Sequence, residues 1–307
     1  MSLRVHSWLQ TNTHGHRAFS PARLAAERRA TVSVCLPARN EARTIGPILS
    51  ELMPLLELGV IDQLVVVDHS SDGTAKLAQA AGAEVYDQRL LAPEAGPVLG
   101  KGDAMWRALP VLRGEIVCFL DADSEQFGSH FVCGLLGPLL TDPGVSFVKG
   151  FYRRPFRVGD MVLPDGGGRV TELCARPLLN LFYPDLAAIR QPLAGEIAAR
   201  RDLLEQLPFV TGYGVDIALL IDAYTAVGLE GIAQVDLDVR QNDHQSLRDL
   251  GAMAYAVLQA VCARLEREGR LRGPLPTSFL ALEDVPPVSE PTPLVERPPV
   301  ARLRAAA

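Results

Sequence analysis

Two aspartates, Asp121 and Asp123, stand one residue apart in the stretch FLDADSEQF, directly after the apolar run at residues 115–120. In extended backbone alternate side chains point the same way, so both carboxylates can face one ligand. Hard carboxylate oxygens suit a divalent cation, and such an ion beside a diphosphate neutralises the charge of a leaving group. The plainer alternative is polar punctuation, a turn or helix cap that ends a buried strand. The stretch alone is compatible with both. Two earlier apolar runs also end in polar groups, Pro37-Ala-Arg-Asn-Glu41 and Asp68-His-Ser-Ser-Asp-Gly-Thr74. A dinucleotide site would need G-x-G-x-x-G after the first strand, and a triphosphate site would need a Walker loop. Neither motif is present. Carboxylates and small polar groups instead suit the ribose and ring N–H groups of a nucleoside.

These residues need elements that bring them to one place. Apolar runs at 31–37, 61–68, 83–86, 115–120 and 145–151 read as strands. Between them, helical patterns run from Asn40-Glu41 to about residue 58, over 72–82 and over 101–112. Strands alternating with helices predict βαβ units and a parallel sheet, whose ligands sit beyond the carboxyl ends of the strands. After residue 150 the pattern loosens. Helices are predicted over 170–181, 215–227 and 247–268, and a half-buried strand over 232–239, where apolar and polar residues alternate. Residues 1–30 read as a polar arm, helical near 22–29. The last 25 residues contain six prolines and read as an extended tail that either drapes over the body or stays disordered.

The bulk properties set the class. With 307 residues, 48% hydrophobic content and a net charge of −6, the chain is globular, with room for one large α/β domain or two modest ones. No nucleic-acid partner is expected, because the footprint of such a protein would be basic. Five scattered cysteines without a C-x-x-C pair suggest a reducing compartment. The polar start offers no apolar signal region, and no stretch approaches the ~18 to 20 apolar residues of a membrane span. A cytoplasmic protein without a membrane partner is the expectation.

The segments LPARNEARTI, VVVDHSSDGT and CFLDADS, in that order on successive α/β units, resemble a nucleotide-sugar glycosyltransferase with the GT-A fold. KGFYRRP, GGGRVTELCARPLL, QPLAGEIAARRDLL, TGYGVDIALLID, IAQVDLDVR and DLGAM narrow the resemblance. They are similar, almost phrase for phrase, to the glucosyl-3-phosphoglycerate and mannosyl-3-phosphoglycerate synthases, over about residues 30 to 270. The resemblance implies an α/β GT-A-type fold with a mostly parallel central sheet and a helical acceptor region. It implies a donor region at 31–150 and an acceptor region at 151–270, between the arm and a Pro-rich tail at 271–307. The implied activity is retaining transfer of glucose or mannose from UDP-glucose, GDP-glucose or GDP-mannose to the 2-hydroxyl of 3-phosphoglycerate. Mg²⁺, Mn²⁺ or Co²⁺ as cofactor and a homodimeric assembly come with it.

The family pattern also implies roles. Pro37, Ala38, Arg39 and Glu41 line the nucleoside, with Ser70 close by. Lys101, Asp121, Ala122 and Asp123 hold the donor, and Asp123 binds the metal. Gly168, Arg169 and Thr171 hold the phosphoglycerate, where a glycine-rich helix start and an Arg make an anion site; Arg240 is a second candidate there. The blander readings are a solvated lysine at 101 and a plain flexible loop at 166–168. The backbone carbonyl of Leu193 supports the acceptor hydroxyl or the anomeric centre, and Asp216 touches sugar hydroxyls. Many relatives have Glu at the latter position, and one methylene fewer moves the carboxylate by about 1.5 Å. Relatives commonly place a metal-binding His where Asn242 stands. His244, two residues on, is the expected ligand, because imidazole suits a divalent transition ion; a surface His is the alternative. Either a carboxylate nucleophile or a front-face route would retain configuration, and no carboxylate is marked by its context as the nucleophile. Two other functions compete. A sugar-nucleotide pyrophosphorylase would need a glycine-rich basic loop where PARNEART has no glycine. An inactive sugar-nucleotide-binding regulator would not need the intact aspartate pair.

Overall fold

The computed structural model describes residues 2–158, 161–163, 167–240, 247–273, 278–281, 288–291 and 293–306. Among these residues eight strands form one sheet: β1 (Thr13–Gly15), β2 (Val32–Ala38), β3 (Gln63–Asp68), β4 (Glu84–Asp87), β5 (Ile116–Phe119), β6 (Phe147–Arg153), β7 (Ile197–Arg200) and β8 (Ile232–Val239). Their spatial order is β1-β8-β6-β7-β5-β2-β3-β4. All pairings are parallel except those of β7, which runs antiparallel to both β5 and β6.

The central strands are buried on both faces, as continuous apolar runs require. Alternate residues feed two cores. Cys35, Val65, Val67, Val117 and Phe119 face one side with α5 (Lys101–Ala108) and α9 (Val215–Val227). Val34, Leu36, Val66, Ile116 and Cys118 face the other with α3 (Ile45–Glu57) and α6 (His130–Thr141). Strand β8, expected to be half-buried, is buried over its first four residues, because β1 covers its edge and α6 packs on it.

The first thirty residues are part of the body rather than an arm. In α1 (Leu3–Thr11), Val5 and Trp8 are buried, and the Trp8 indole donates to the Ile232 carbonyl at 2.8 Å. Strand β1 then extends the sheet, and Leu24 anchors α2 (Pro21–Glu27). Two apolar anchors one turn apart, a third sixteen residues on and a three-residue strand leave too short a periodic pattern to read in the sequence. The helix expected from Asn40-Glu41 begins at Ile45. The residues before it form a loop bonded to the next strand's end, with the Glu41 amide donating to Thr74 Oγ1 at 2.9 Å and that of Ala42 to Asp72 Oδ2 at 3.1 Å.

Part of the Pro-rich tail drapes over the body. Glu296–Arg297 pairs antiparallel with Phe209–Val210, and α11 (Val300–Ala306) follows with Val300 buried. Arg297 Nε donates to Asp103 Oδ1 at 2.7 Å, and the Trp106 indole to the Pro298 carbonyl at 2.7 Å, so the tail braces α5. Among the described residues no helix is long and apolar enough to cross a membrane, and all five cysteines are free.

Candidate active site

The carboxyl ends of the parallel strands face a cavity of about 650 Å³. Pro37 and Ala38 end β2, residues 120–123 follow β5, Tyr152 lies late in β6 and Arg240 follows β8. Strand β7 runs the opposite way, so the chain entering it, with Leu193 and Gly195, reaches the same edge of the sheet. Two helix starts close the other side, Lys101 opening α5 and Asp216 in the first turn of α9.

The expected residues largely converge here. Pro37, Ala38, Arg39 and Glu41 line one end of the cavity, and Lys101, Asp121, Ala122 and Asp123 line its floor. Gly168, Arg169 and Thr171 line the wall formed by the turn before α7 (Arg176–Phe182), and Leu193, Asp216 and Arg240 also reach the cavity. Gly168 adopts φ +75°, a conformation glycine takes without strain. Ser70 sits one layer behind: its hydroxyl donates to Asp68 Oδ1 at 2.6 Å and accepts from the Asn40 amide at 2.7 Å, tying the first two strand ends together. Asn242 and His244 lie outside the described residues.

A buried charge network ties the floor together. Lys101 Nζ lies 2.6 Å from Asp121 Oδ1 and 3.3 Å from Asp216 Oδ2. Arg240, 3% exposed, places Nη1 3.0 Å from Asp121 Oδ2 and Nη2 2.5 Å from Asp123 Oδ1. The same Nη1 is 2.9 Å from the Tyr152 hydroxyl. It also lies 2.7 Å from Glu196 Oε1, a close ion pair that is poorly aligned as a hydrogen bond, since that oxygen has no directed partner. The Tyr152 hydroxyl donates to Glu196 Oε2 at 2.9 Å. Arg240, a candidate for the acceptor from sequence, thus turns both of its terminal nitrogens to the aspartate pair, Nη1 also meeting Glu196 and Tyr152.

The two aspartates divide their work. Burial would raise the Asp121 carboxyl, but Lys101 and Arg240 beside it prevail and hold it well below the usual carboxylate range. Both of its oxygens are occupied by protein cations. The Asp123 side chain is 47% exposed and gives one oxygen to Arg240; among the described residues the other oxygen has no hydrogen-bond partner. A hard, open carboxylate oxygen facing a cavity fits a divalent cation, so Asp123, rather than Asp121, is the group that can hold one. Among the described residues no three His, Cys, Asp or Glu side chains gather as a metal cluster. Glu41 lies nearby, and burial, then the negative charge of Asp123, push its carboxyl up to about 7.

Three neighbours were not singled out from the sequence. Gly195 packs so tightly that a Cβ there would sit 2.3 Å from both Asp121 oxygens and from Lys101 Nζ. Glu196 is 1% exposed and pairs with Arg240, and Lys149 is wholly buried beneath Asp216. The legible signal was charge in the wrong place: a lysine inside the apolar strand FVKGF and a glutamate beside IAA.

The glycosyl transferase family 2 model matches residues 33–192. Glucosyl-3-phosphoglycerate synthase of Mycolicibacterium smegmatis is 43% identical over 97% of this chain and 99% of its own length. The Mycobacterium tuberculosis protein of the same name is 47% identical over 78% of this chain and 75% of its own. Among solved structures, mannosyl-3-phosphoglycerate synthase from Rubrobacter xylanophilus superposes with a TM-score of 0.90 at 46% identity, covering 97% of this chain and 98% of that one. Glucosyl-3-phosphoglycerate synthase from M. tuberculosis, in complex with Mn²⁺, UDP and glucosyl-3-phosphoglycerate, superposes with a TM-score of 0.84 at 41% identity, covering 95% and 99%. That enzyme is also solved with Mn²⁺, UDP-glucose and phosphoglyceric acid. The expected GT-A-type α/β architecture is borne out, and the chain is a glycosyltransferase. It belongs to glycosyl transferase family 2, among the glucosyl- and mannosyl-3-phosphoglycerate synthases.

Proposed function

We propose that this cavity transfers glucose or mannose from a nucleotide sugar to the 2-hydroxyl of 3-phosphoglycerate with retention of configuration. The observation that carries the reading is the meeting, in one cavity, of an open Asp123 carboxylate with the Gly168-Arg169-Thr171 turn. The first supports a donor diphosphate with its cation, and the second supports an anionic acceptor. The solved complexes of the M. tuberculosis relative contain Mn²⁺, a uridine nucleotide and phosphoglycerate together, which supports the same pairing.

In this reading residues 37–41 bind the nucleoside, with Ser70 fixing their loop, and Lys101 and Asp121 hold the donor. A divalent ion, Mg²⁺, Mn²⁺ or Co²⁺, held by Asp123 and by His244 from the segment after β8, would neutralise charge on the departing diphosphate. Arg240 keeps Asp121 and Asp123 aimed into the cavity. Asp216 receives sugar hydroxyls, and the Leu193 carbonyl steadies the acceptor hydroxyl beside the anomeric carbon. The bond from that carbon to the diphosphate breaks as the bond to the acceptor oxygen forms on the same face. The acceptor proton passes to the departing phosphate oxygen, so no protein nucleophile is needed. The protein works as a cytoplasmic homodimer. Incubating it with 3-phosphoglycerate, Mg²⁺ or Mn²⁺, and UDP-glucose, GDP-glucose or GDP-mannose in turn tests the reading by mass and by anomeric coupling in NMR. An α-linked sugar phosphoglycerate is expected. A β-linked product refutes retention, and no product with any donor refutes the activity.

A further inference from the structure

Lys149 is out of place for a residue that serves only the fold. It lies in the middle of β6, opposite Gln234 of β8 and Ile197 of β7. Its side chain follows Phe147 onto the face of the sheet covered by α5 and α9, and it is 0% exposed. Among the described residues its ammonium makes one long hydrogen bond, 3.4 Å to the Asp216 main-chain carbonyl, and sits 4.0 Å from the Asp216 carboxylate. Such partners compensate a buried charge poorly, and an apolar side chain of similar size would suit stability at least as well. The other charged groups facing it are Lys101 from α5, Glu196 at the head of β7 and Asp121 after β5. Burial pulls the Lys149 ammonium down to about 8, with Asp216 opposing that fall.

Asp216 shares Lys101 with Asp121, and the Lys101–Asp121 contact is the closer, at 2.6 Å against 3.3 Å. A diphosphate entering the cavity competes for the same ammonium. Asp216 would then face the sugar with one cation behind it. We propose that Lys149 is a positioning residue of the sugar subsite, its buried ammonium holding the Asp216 carboxylate in the cavity when Lys101 turns to the donor's diphosphate. This deepens the functional reading above and rests on it.

The test compares binding of a nucleoside diphosphate with binding of its sugar conjugate, UDP against UDP-glucose or GDP against GDP-mannose. Calorimetry with Mn²⁺ present suits both wild type and Lys149→Met. The variant is expected to bind the diphosphate within about twofold of wild type and to lose about ten- to a hundredfold in affinity for the sugar conjugate and in kcat/KM. Its melting temperature should equal or exceed that of wild type. In wild type, kcat/KM should fall as pH rises through about 8, as the ammonium loses its proton and Asp216 loses its partner. Sugar-conjugate binding unchanged in Lys149→Met overturns the proposal. So does a fall in kcat/KM between pH 7 and 9.5 that is the same in wild type and in Lys149→Met. A wild-type protein that forms no sugar phosphoglycerate from any of these donors overturns the functional reading itself.

Discussion

Replacing Gly195 by Ala adds one methyl group at the most crowded point of the floor. Its Cβ would lie 2.3 Å from Asp121 Oδ1, Asp121 Oδ2 and Lys101 Nζ. Comfortable contact begins near 3.5 Å, so these atoms must part by about 1 Å. The atoms that yield are side-chain ends, which keeps the stability loss near the low end of overpacking, about 1 to 2 kcal/mol. At about 2 to 4 °C per kcal/mol, the melting temperature should drop by roughly 2 to 8 °C. Function should suffer more. The displaced atoms form the 2.6 Å Lys101–Asp121 pair, and a misplacement of about 1 Å in a positioning group costs on the order of a hundredfold. Steady-state kcat/KM for donor and 3-phosphoglycerate, measured beside circular-dichroism melts, separates the two effects. A Gly195→Ala enzyme with wild-type kcat/KM would show that the contact between lysine and aspartate is dispensable.

Asp123→Asn keeps the shape and removes the charge, so turnover should fall at least about a hundredfold and half-saturation should need far more Mn²⁺; near-normal turnover in EDTA refutes the assignment. Glu41 titrates near 7 in the folded chain against an ordinary value of 4.5. The folded state therefore binds the extra proton between those values, and stability falls as pH rises through that window. In Glu41→Gln the decline between about pH 4.5 and 7 should flatten, and melting curves that keep the wild-type slope count against it. Arg264 is 2% exposed and bonds Asp222 at 2.5 Å. Arg264→Ala removes the nearer cation from a buried carboxylate and leaves it Arg267 at 3.7 Å; it should cost about 3 kcal/mol by urea titration, much of it recovered when Asp222→Asn is added, and no recovery would place the loss in packing instead.

The sequence made the parallel core legible because β2, β3 and β5 are unbroken apolar runs ending in polar groups, a pattern that fixes both strand type and the edge where ligands bind. The positions of Pro37, Lys101, Asp121, Asp123 and Asp216 around one cavity followed from motif spacing and from the resemblance. Other features depend on contacts between distant segments, which no local pattern records. Strand β1 is three residues long and exists only because β8 offers its edge. Arg240 stands in an ordinary strand-end position, and its partners come from elsewhere in the sheet, Tyr152 from β6 and Glu196 from the residue before β7. The antiparallel run of β7 hides in an apolar IAAR that reads equally well in either direction. It is this reversal that delivers Leu193 to the cavity and packs Gly195 and Glu196 against the residues of its floor.

The tail that braces α5 has a kinetic meaning. Arg297 and Asp103 are 194 positions apart, and Pro298 and Trp106 are 192 apart. Closing so long a loop adds little to the equilibrium balance, about 0.6 kcal/mol per doubling of length, but contacts this remote are found slowly. A refolding chain should build the β2–β5 part of its sheet first, where partners are near in sequence, and brace the helix that presents Lys101 later, so that compactness precedes competence. The molecule carries its own clock for that step. It has two tryptophans, and one of them, Trp106, lies under the Arg297 guanidinium at 5.4 Å. In a Trp8→Phe chain the remaining indole reports docking of the tail. Its fluorescence should settle after the far-UV signal and together with activity; an indole signal that keeps pace with the far-UV change would mean that the tail docks as the sheet forms.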